Sequence, residues 1–160
     1  MTAVQPKRLV ILGLGLLLLG LAATGRADQD RRSSAVAHVR ATASKIAPDG
    51  TQTLTFTLTI DPGWHLYANP VRNEDLSSVQ TTLRMVGPVE ALSIAYPPGD
   101  EDQDPAVGSF RVYEKETMIR ATFRRSRPDV PVEAHLRFQA CSKSTCLQPS
   151  TVMVKLPAVP

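Results

Sequence analysis

Apolar and polar residues alternate along most of the chain beyond residue 35, at a period of two residues. The clearest run covers residues 51–60, where threonines share one face and four large apolar residues share the other: Leu54, Phe56, Leu58 and Ile60. Successive side chains of a β-strand point to opposite faces, so such alternation is typical of a strand with one buried face. We therefore predict a half-buried strand over residues 51–60.

Shorter runs of the same kind predict further strands, separated by turn residues. They cover residues 36–43, 64–68, 79–86, 89–96, 110–113, 117–125, 132–140 and 151–156. Prolines fall between these runs, as expected because proline cannot donate to a β-ladder. The acidic stretch 100–105 is predicted to be a surface loop. About seven to nine short strands separated by turns indicate an all-β, immunoglobulin-like β-sandwich.

The first 27 residues have a different pattern. Lys7 and Arg8 precede an uncharged, leucine-rich apolar run over residues 9–23, and the small residues Gly25 and Ala27 follow it. This order is typical of a secretory signal peptide. The apolar run, about 15 residues, is shorter than the roughly 20 that span a bilayer as a helix. We therefore expect export to the periplasm, with the signal peptide (1–27) cleaved near Ala27.

Removing the signal peptide changes the charge balance. The chain has 18 lysines and arginines and 15 acidic residues, and three of the basic residues but no acid lie in residues 1–27. The remainder is neutral, so its composition gives no reason to expect a nucleic acid or another acidic partner. We expect a flexible polar segment over residues 28–35 and one monomeric domain over residues 36–160.

The two cysteines of the chain, Cys141 and Cys146, follow the signal peptide. In an oxidising compartment a disulfide between them can persist, and two cysteines allow one intramolecular pairing. They flank a four-residue loop between two predicted strands. Such a loop can bring their Cα atoms within the roughly 4.4–6.8 Å that a disulfide requires.

Spacing alone leaves three interpretations of this pair open. A structural clip closing so short a loop would stabilise the fold by roughly 2 kcal/mol. An exposed short-range bridge would exchange more readily, which favours redox chemistry. A metal site needs more ligands, and the spacing of the three histidines matches no zinc or copper pattern. We therefore expect no metal and no cofactor.

The residues between the cysteines could support a reactive sulfur or be ordinary loop residues. Lys143 would favour a thiolate in either neighbouring cysteine through its charge. The hydroxyl groups of the loop could donate hydrogen bonds; they belong to Ser142, Ser144 and Thr145. Of the two sulfurs we favour that of Cys146 as the one that reacts first, because Cys141 ends a strand and should be less mobile.

Three segments together make the chain resemble a known family. Residues 63–70 read Gly-Trp-His-Leu-Tyr-Ala-Asn-Pro, and residues 112–114 read Val-Tyr-Glu after the acidic stretch. Residues 138–149 read Phe-Gln-Ala-Cys, four loop residues, and Cys-Leu-Gln-Pro. In combination they resemble the N-terminal periplasmic domain of the thiol:disulfide interchange protein DsbD and its stand-alone relatives, from about residue 36 to residue 156.

The resemblance implies an immunoglobulin-like domain in which Cys141 and Cys146 carry electrons, so the protein would act as a thiol:disulfide oxidoreductase. Its reducing equivalents would come from a membrane-embedded thiol reductase, here on another chain, and pass to periplasmic thioredoxin-like proteins or disulfide isomerases. The alternative is a non-catalytic β-sandwich interaction module with a purely structural disulfide.

The remaining motif residues are interpreted as structural. Trp64, His65 and Tyr67 are expected to form an aromatic cluster at the edge of the sandwich, and Tyr113 belongs to the same structural motif. In the better-studied member of the family that the chain resembles, a cap loop with aromatic residues shields the cysteines. The corresponding residues here, 104–108, contain no aromatic ring, so we expect the pair to be shielded differently or less.

Overall fold

The computed structural model describes residues 31–159, so the predicted signal peptide lies outside the described residues. Within this range the chain forms eleven strands and two short 3₁₀ turns, Ser33–Ala35 and Glu74–Leu76, and no α-helix. The strands are β1 (Ala37–Ala43), β2 (Thr51–Ile60), β3 (His65–Tyr67), β4 (Thr82–Val86), β5 (Val89–Ala95), β6 (Asp100–Asp104), β7 (Gly108–Tyr113), β8 (Glu116–Arg125), β9 (Val132–Phe138), β10 (Ala140–Cys141) and β11 (Ser150–Leu156). No helix in this part of the chain is long and apolar enough to cross a membrane.

The strands pair antiparallel in three sheets. Their orders are β1-β2-β8-β5, β10-β3-β7-β6 and β11-β9-β4. The sheets pack as a sandwich around a main core cluster, beside a second small cluster of Val71, Phe110 and Val112, which confirms the predicted immunoglobulin-like fold. β9 and β10 are separated by Gln139 alone, so the chain passes from the third sheet into the second immediately before the cysteine loop.

The core forms where period-two alternation is strongest. In β2 the even-numbered residues from Gln52 to Ile60 are all buried, and the intervening threonines lie at least partly exposed. β8 pairs with β2 and buries its own alternate residues, so that Phe56 lies opposite Ile119 in the register. This burial of apolar area is the main favourable contribution to folding.

The acidic stretch was predicted to be a loop, and that prediction is wrong. Residues Asp100–Asp104 form β6, which pairs with β7 along the outer edge of the second sheet. All five side chains are exposed, so no burial pattern marks the strand in the sequence. Charged side chains on an edge strand also discourage pairing with other chains, so an acidic sequence is compatible with this position.

The prediction of a flexible segment over residues 28–35 is wrong for residues 31–35, and residues 28–30 lie outside the described range. Ser33 is fully buried, and its backbone N–H and its hydroxyl both donate to the carbonyl of Gln148 at 2.8 Å. The same hydroxyl accepts from the N–H of Ala140 at 2.8 Å. Polar composition suggested solvation, but these polar groups bind backbone that is distant in sequence.

Most predicted strands agree with the observed ones to within two residues, but two differ more. The strand predicted over 79–86 begins only at Thr82, because the N–H and hydroxyl of Thr81 both donate to the Tyr67 carbonyl and tie this backbone to β3. The strand predicted over 132–140 divides into β9 and β10. Both changes arise from pairing with β3, a contact between distant parts of the chain.

Gly99 permits the close approach of three segments just before β6. A methyl group at this position would lie 2.5 Å from the Cβ of Ala68 and 2.7 Å from the carbonyl oxygen of Val112. We predict that Gly99→Ala destabilises the domain by about 1–3 kcal/mol through overpacking. Urea unfolding measures the change, with Ser109→Ala, an exposed position on β7, as the control. Equal stability of the two variants would contradict this packing.

Candidate functional site

The two cysteines are joined in a disulfide at the end of β10. Their Cα atoms are 4.0 Å apart, slightly closer than the predicted range. The N–H of Ser142 donates to the Thr145 carbonyl at 2.8 Å, which closes the turn between the cysteines. The Ser142 hydroxyl also accepts from the N–H groups of Ser144 and Thr145, at 3.4 and 3.3 Å. The loop is therefore a compact hydrogen-bonded turn.

The base of the loop is fixed on both sides. The N–H of Leu147 donates to the Ala140 carbonyl at 2.9 Å, and the Gln139 side chain donates to the Leu147 carbonyl at 3.0 Å. Leu147 itself is buried in the core. With Ser33 bridging Ala140 and Gln148 on the other side, the backbone that carries both sulfurs is held by groups outside the loop.

The two cysteines differ in exposure. Cys141 is 1% exposed, whereas Cys146 belongs to the exposed residues. The difference follows from their places in the fold, since Cys141 is paired within β10 and Cys146 follows the turn. Another protein can therefore reach the disulfide from the Cys146 side.

Pairing of the neighbouring strands determines what surrounds the disulfide. Cys141 lies opposite His65 in the antiparallel register of β10 and β3. Opposite residues of an antiparallel pair project on the same face, and so do alternate residues of one strand. His65 and Tyr67 therefore share the outer face of the sheet with Cys141, while Leu66 is buried in the core.

This outer face forms a groove of about 670 Å³ that includes both cysteines and all four residues between them. The far side of the groove is formed by Tyr67, Phe110, Leu76 and the β6 side chains Asp102 and Asp104. Lys143 is exposed and is the one lysine or arginine among the described residues that line the groove. The disulfide therefore lies at one end of a surface that is both aromatic and acidic.

Three rings form the aromatic part of the groove. The His65 and Tyr67 ring centroids are 5.6 Å apart in an edge-on arrangement, and the Tyr67 and Phe110 centroids are 5.7 Å apart. Phe110 was not singled out from the sequence. Its alternation with Val112 indicated a strand, but only the pairing with β3 shows which face it occupies.

Trp64 and Tyr113 lie apart from this cluster. Trp64 packs against the main core and lines a separate pocket with Pro62 and Lys115. Tyr113 is buried, and its hydroxyl accepts from the N–H of Asn69 at 3.0 Å and lies 3.1 Å from the Pro97 carbonyl. The side chains of Trp64 and Tyr113 therefore stabilise the fold beside the groove.

The tip between β6 and β7, residues 104–108, occupies the place where aromatic shielding was considered. Val107 is 37% exposed and lines the groove, and its carbonyl accepts from the Asn73 side chain at 2.8 Å. An aliphatic side chain therefore stands at this position, and Cys146 remains exposed.

Burial and two nearby carboxylates shift the pKa of His65 in opposite directions. Burial lowers the pKa of His65, while the carboxylates of Asp102 and Glu114 act to raise it. Burial also raises the pKa of Tyr67, and the carboxylates of Asp104 and Asp102 add to that increase. Residues 31–159 contain no group of three or more side chains arranged to hold a metal ion.

Comparison with known proteins identifies relatives of the chain. The family described as "Thiol:disulfide interchange protein DsbD, N-terminal" matches residues 32–158. Among solved structures, the N-terminal periplasmic domain of ScsB from Proteus mirabilis has a TM-score of 0.62 and 22% sequence identity, and the match covers 77% of this chain and 47% of that one. This chain thus spans about half the length of that relative. A comparison with curated proteins gave no match.

Two structures from Neisseria meningitidis are more distant. The reduced DsbD N-terminal domain has a TM-score of 0.49 and 17% identity, with 78% of this chain and 86% of that chain covered. The complex between the DsbD N-terminal and PilB N-terminal domains has a TM-score of 0.49 and 15% identity, with 84% and 86% covered.

The lowered pKa of His65 predicts a pH-dependent contribution to stability. In the unfolded chain the imidazole has its ordinary pKa of about 6.5, so between this value and the lower folded value the unfolded chain binds more protons. Stability therefore falls as the pH falls through that window. We expect the wild-type domain to lose more stability than His65→Gln between about pH 7 and pH 5, as measured by urea unfolding at each pH.

The neighbouring substitution Tyr67→Phe is the control for this measurement. It removes a group that does not titrate in this range, so its stability should depend on pH as the wild type does. If His65→Gln followed the same course as wild type, the imidazole would not be the source of the dependence.

Proposed function

The chain belongs to the family of the N-terminal domain of the thiol:disulfide interchange protein DsbD, and we propose that it passes reducing equivalents through the pair Cys141 and Cys146. The observation that carries the proposal is the unequal exposure of a disulfide at the end of a groove. A purely structural clip needs neither an exposed sulfur nor a surface beside it.

The proposed reaction has two exchange steps. In the reduced domain the Cys146 thiolate attacks one sulfur of a partner's disulfide, and the partner's other sulfur leaves as a thiolate and takes up a proton. Cys141 then loses its proton and attacks the Cys146 sulfur of the mixed disulfide, which expels the partner's first sulfur. The domain ends with its own disulfide, and the partner ends with two thiols.

The geometry supports this order of attack. Cys146 is an exposed residue that follows the turn, so another protein's disulfide can approach it. Cys141 is buried beside β3, which suits a cysteine that attacks the mixed disulfide within the domain. Lys143 adds a positive charge to the loop, which favours the thiolate of a nearby cysteine. Ser142, Ser144 and Thr145 hold the turn that separates the two sulfurs.

The partners follow from the same proposal. Export by a signal peptide over residues 1–27 places the domain in the periplasm. A membrane-embedded thiol reductase on another chain would donate the electrons, and thioredoxin-like proteins or disulfide isomerases would accept them. We propose that the domain includes residues 31–35 as well as the predicted range from residue 36, because the buried Ser33 is hydrogen-bonded to Ala140 and Gln148.

Trapping with single cysteine variants tests the order of attack. Cys141→Ser retains the exposed sulfur but cannot resolve a mixed disulfide, so it should accumulate a covalent complex with periplasmic proteins. Cys146→Ser retains only the buried sulfur and should trap none. Non-reducing electrophoresis detects the complexes, and added reductant should release them. More trapping by Cys146→Ser would reverse the assignment, and no trapping by either would favour the non-catalytic interaction module.

The reduction potential distinguishes the redox function from a structural clip. We expect a value within the range of roughly −120 to −270 mV that is found for exchange proteins. Equilibration with defined thiol–disulfide buffers, followed by alkylation of free thiols and mass measurement, gives the value. A potential below about −300 mV, which is typical of structural disulfides in secreted proteins, would overturn the proposed function.

A further inference from the structure

His65 contains a buried polar atom that the proposed exchange chemistry leaves unused. Its Nε2 is buried, and within residues 31–159 it is the sole buried side-chain nitrogen or oxygen without a hydrogen-bond partner. Leaving such an atom unpaired costs free energy, so the arrangement calls for a physical explanation.

The neighbour of His65 changes its chemistry during a redox cycle. Cys141 lies opposite His65 in the β10–β3 register, and both line the same groove. In the disulfide, the Cys141 sulfur carries no proton and can donate nothing to an imidazole nitrogen. In the dithiol it carries an S–H group, which is a donor. Reduction therefore creates a new donor at the residue opposite His65, on the face of the sheet that His65 shares.

Cys141 needs such a neighbour more than Cys146 does. A thiol in apolar surroundings releases its proton less readily than an exposed one, and only the thiolate is an effective nucleophile. Cys141 is 1% exposed at the base of the groove, whereas the exposed Cys146 can lose its proton to solvent. A base inside the protein would therefore speed the second exchange step.

Resting on the proposed function, we propose that His65 is the base that takes the proton of Cys141. In the reduced domain its Nε2 accepts a hydrogen bond from the Cys141 thiol. As the Cys141 sulfur attacks the Cys146 sulfur of the mixed disulfide, the proton passes to Nε2, and the partner's sulfur leaves as a thiolate. The imidazolium then gives the proton to that thiolate or to solvent, which restores neutral His65.

The surroundings of His65 are compatible with both the neutral imidazole and the imidazolium, and the proposed role requires both forms. Burial lowers the pKa of His65, which favours the neutral imidazole before the proton arrives. The carboxylates of Asp102, on β6, and Glu114, after β7, favour the imidazolium once it forms. The other titratable side chains that line the groove are Tyr67, Asp104 and Lys143.

Rapid kinetics with a small disulfide tests the assignment on the full exported domain. The probe is a symmetric nitrobenzoate disulfide whose released thiolate absorbs visible light. Attack by Cys146 on the probe releases the first thiolate, and attack by Cys141 on the mixed disulfide releases the second. The two steps are therefore seen as separate phases in one experiment.

Removing the imidazole should affect only the second phase. His65→Gln keeps a hydrogen-bond acceptor but cannot take up a proton, and we expect it to slow the second phase by about a hundredfold or more. The first phase should change by less than about twofold, which also shows that the variant is folded. His38→Gln, an exposed histidine outside the groove, is the matched control and should leave both phases unchanged.

The pH profile of the wild-type domain gives a second, independent readout. With His65 as the base, the second phase should rise with pH through an apparent pKa below about 6.5, whereas an unassisted thiol would rise at or above about 8.5. A profile in the thiol range, an unchanged second phase in His65→Gln, or equal slowing of both phases would overturn the role of His65. Absence of the first phase in wild type would instead overturn the proposed function.

Discussion

β3 pairs with β10 on one side and with β7 on the other, and these pairings determine which side chains surround the disulfide. Because side chains alternate along a strand, a shift of one residue would bring Leu66 to the groove and turn His65 into the core. Burial of Leu66 and Ala140 prevents that shift. The hydrophobic core thus sets the chemistry of the outer face, although none of its side chains takes part in it.

The cysteine loop has hydrogen-bonded backbone at its base and a short turn between the two cysteines. Ser33 and Leu147 hold the backbone on either side of the cysteines, and the turn between them has hydrogen bonds of its own. In the proposed exchange the sulfurs would then move while the strands stay in place. Such preorganisation would limit the conformational entropy lost when the Cys141 sulfur meets the mixed disulfide.

The sequence predicted those parts of the fold that have one buried face. β2 was predicted with its observed bounds because threonines and large apolar residues alternate there without a break. β6 was missed because neither of its faces is buried, and Ser33 was missed because its partners are distant in sequence. The cysteine pair was evident from its spacing, but the placement of His65 beside Cys141 depends on strand register, which no local pattern records.

The acidic edge strand would also affect how quickly the proposed partners meet the domain. Four of the five side chains of β6 are carboxylates, and two of them line the groove that ends at the disulfide. Fields of this kind alter association rates more than they alter the strength of the final complex. Redox proteins with lysines around their reactive sulfurs would then associate with the domain faster at low salt concentration. The domain would therefore select among competing partners partly through association rates.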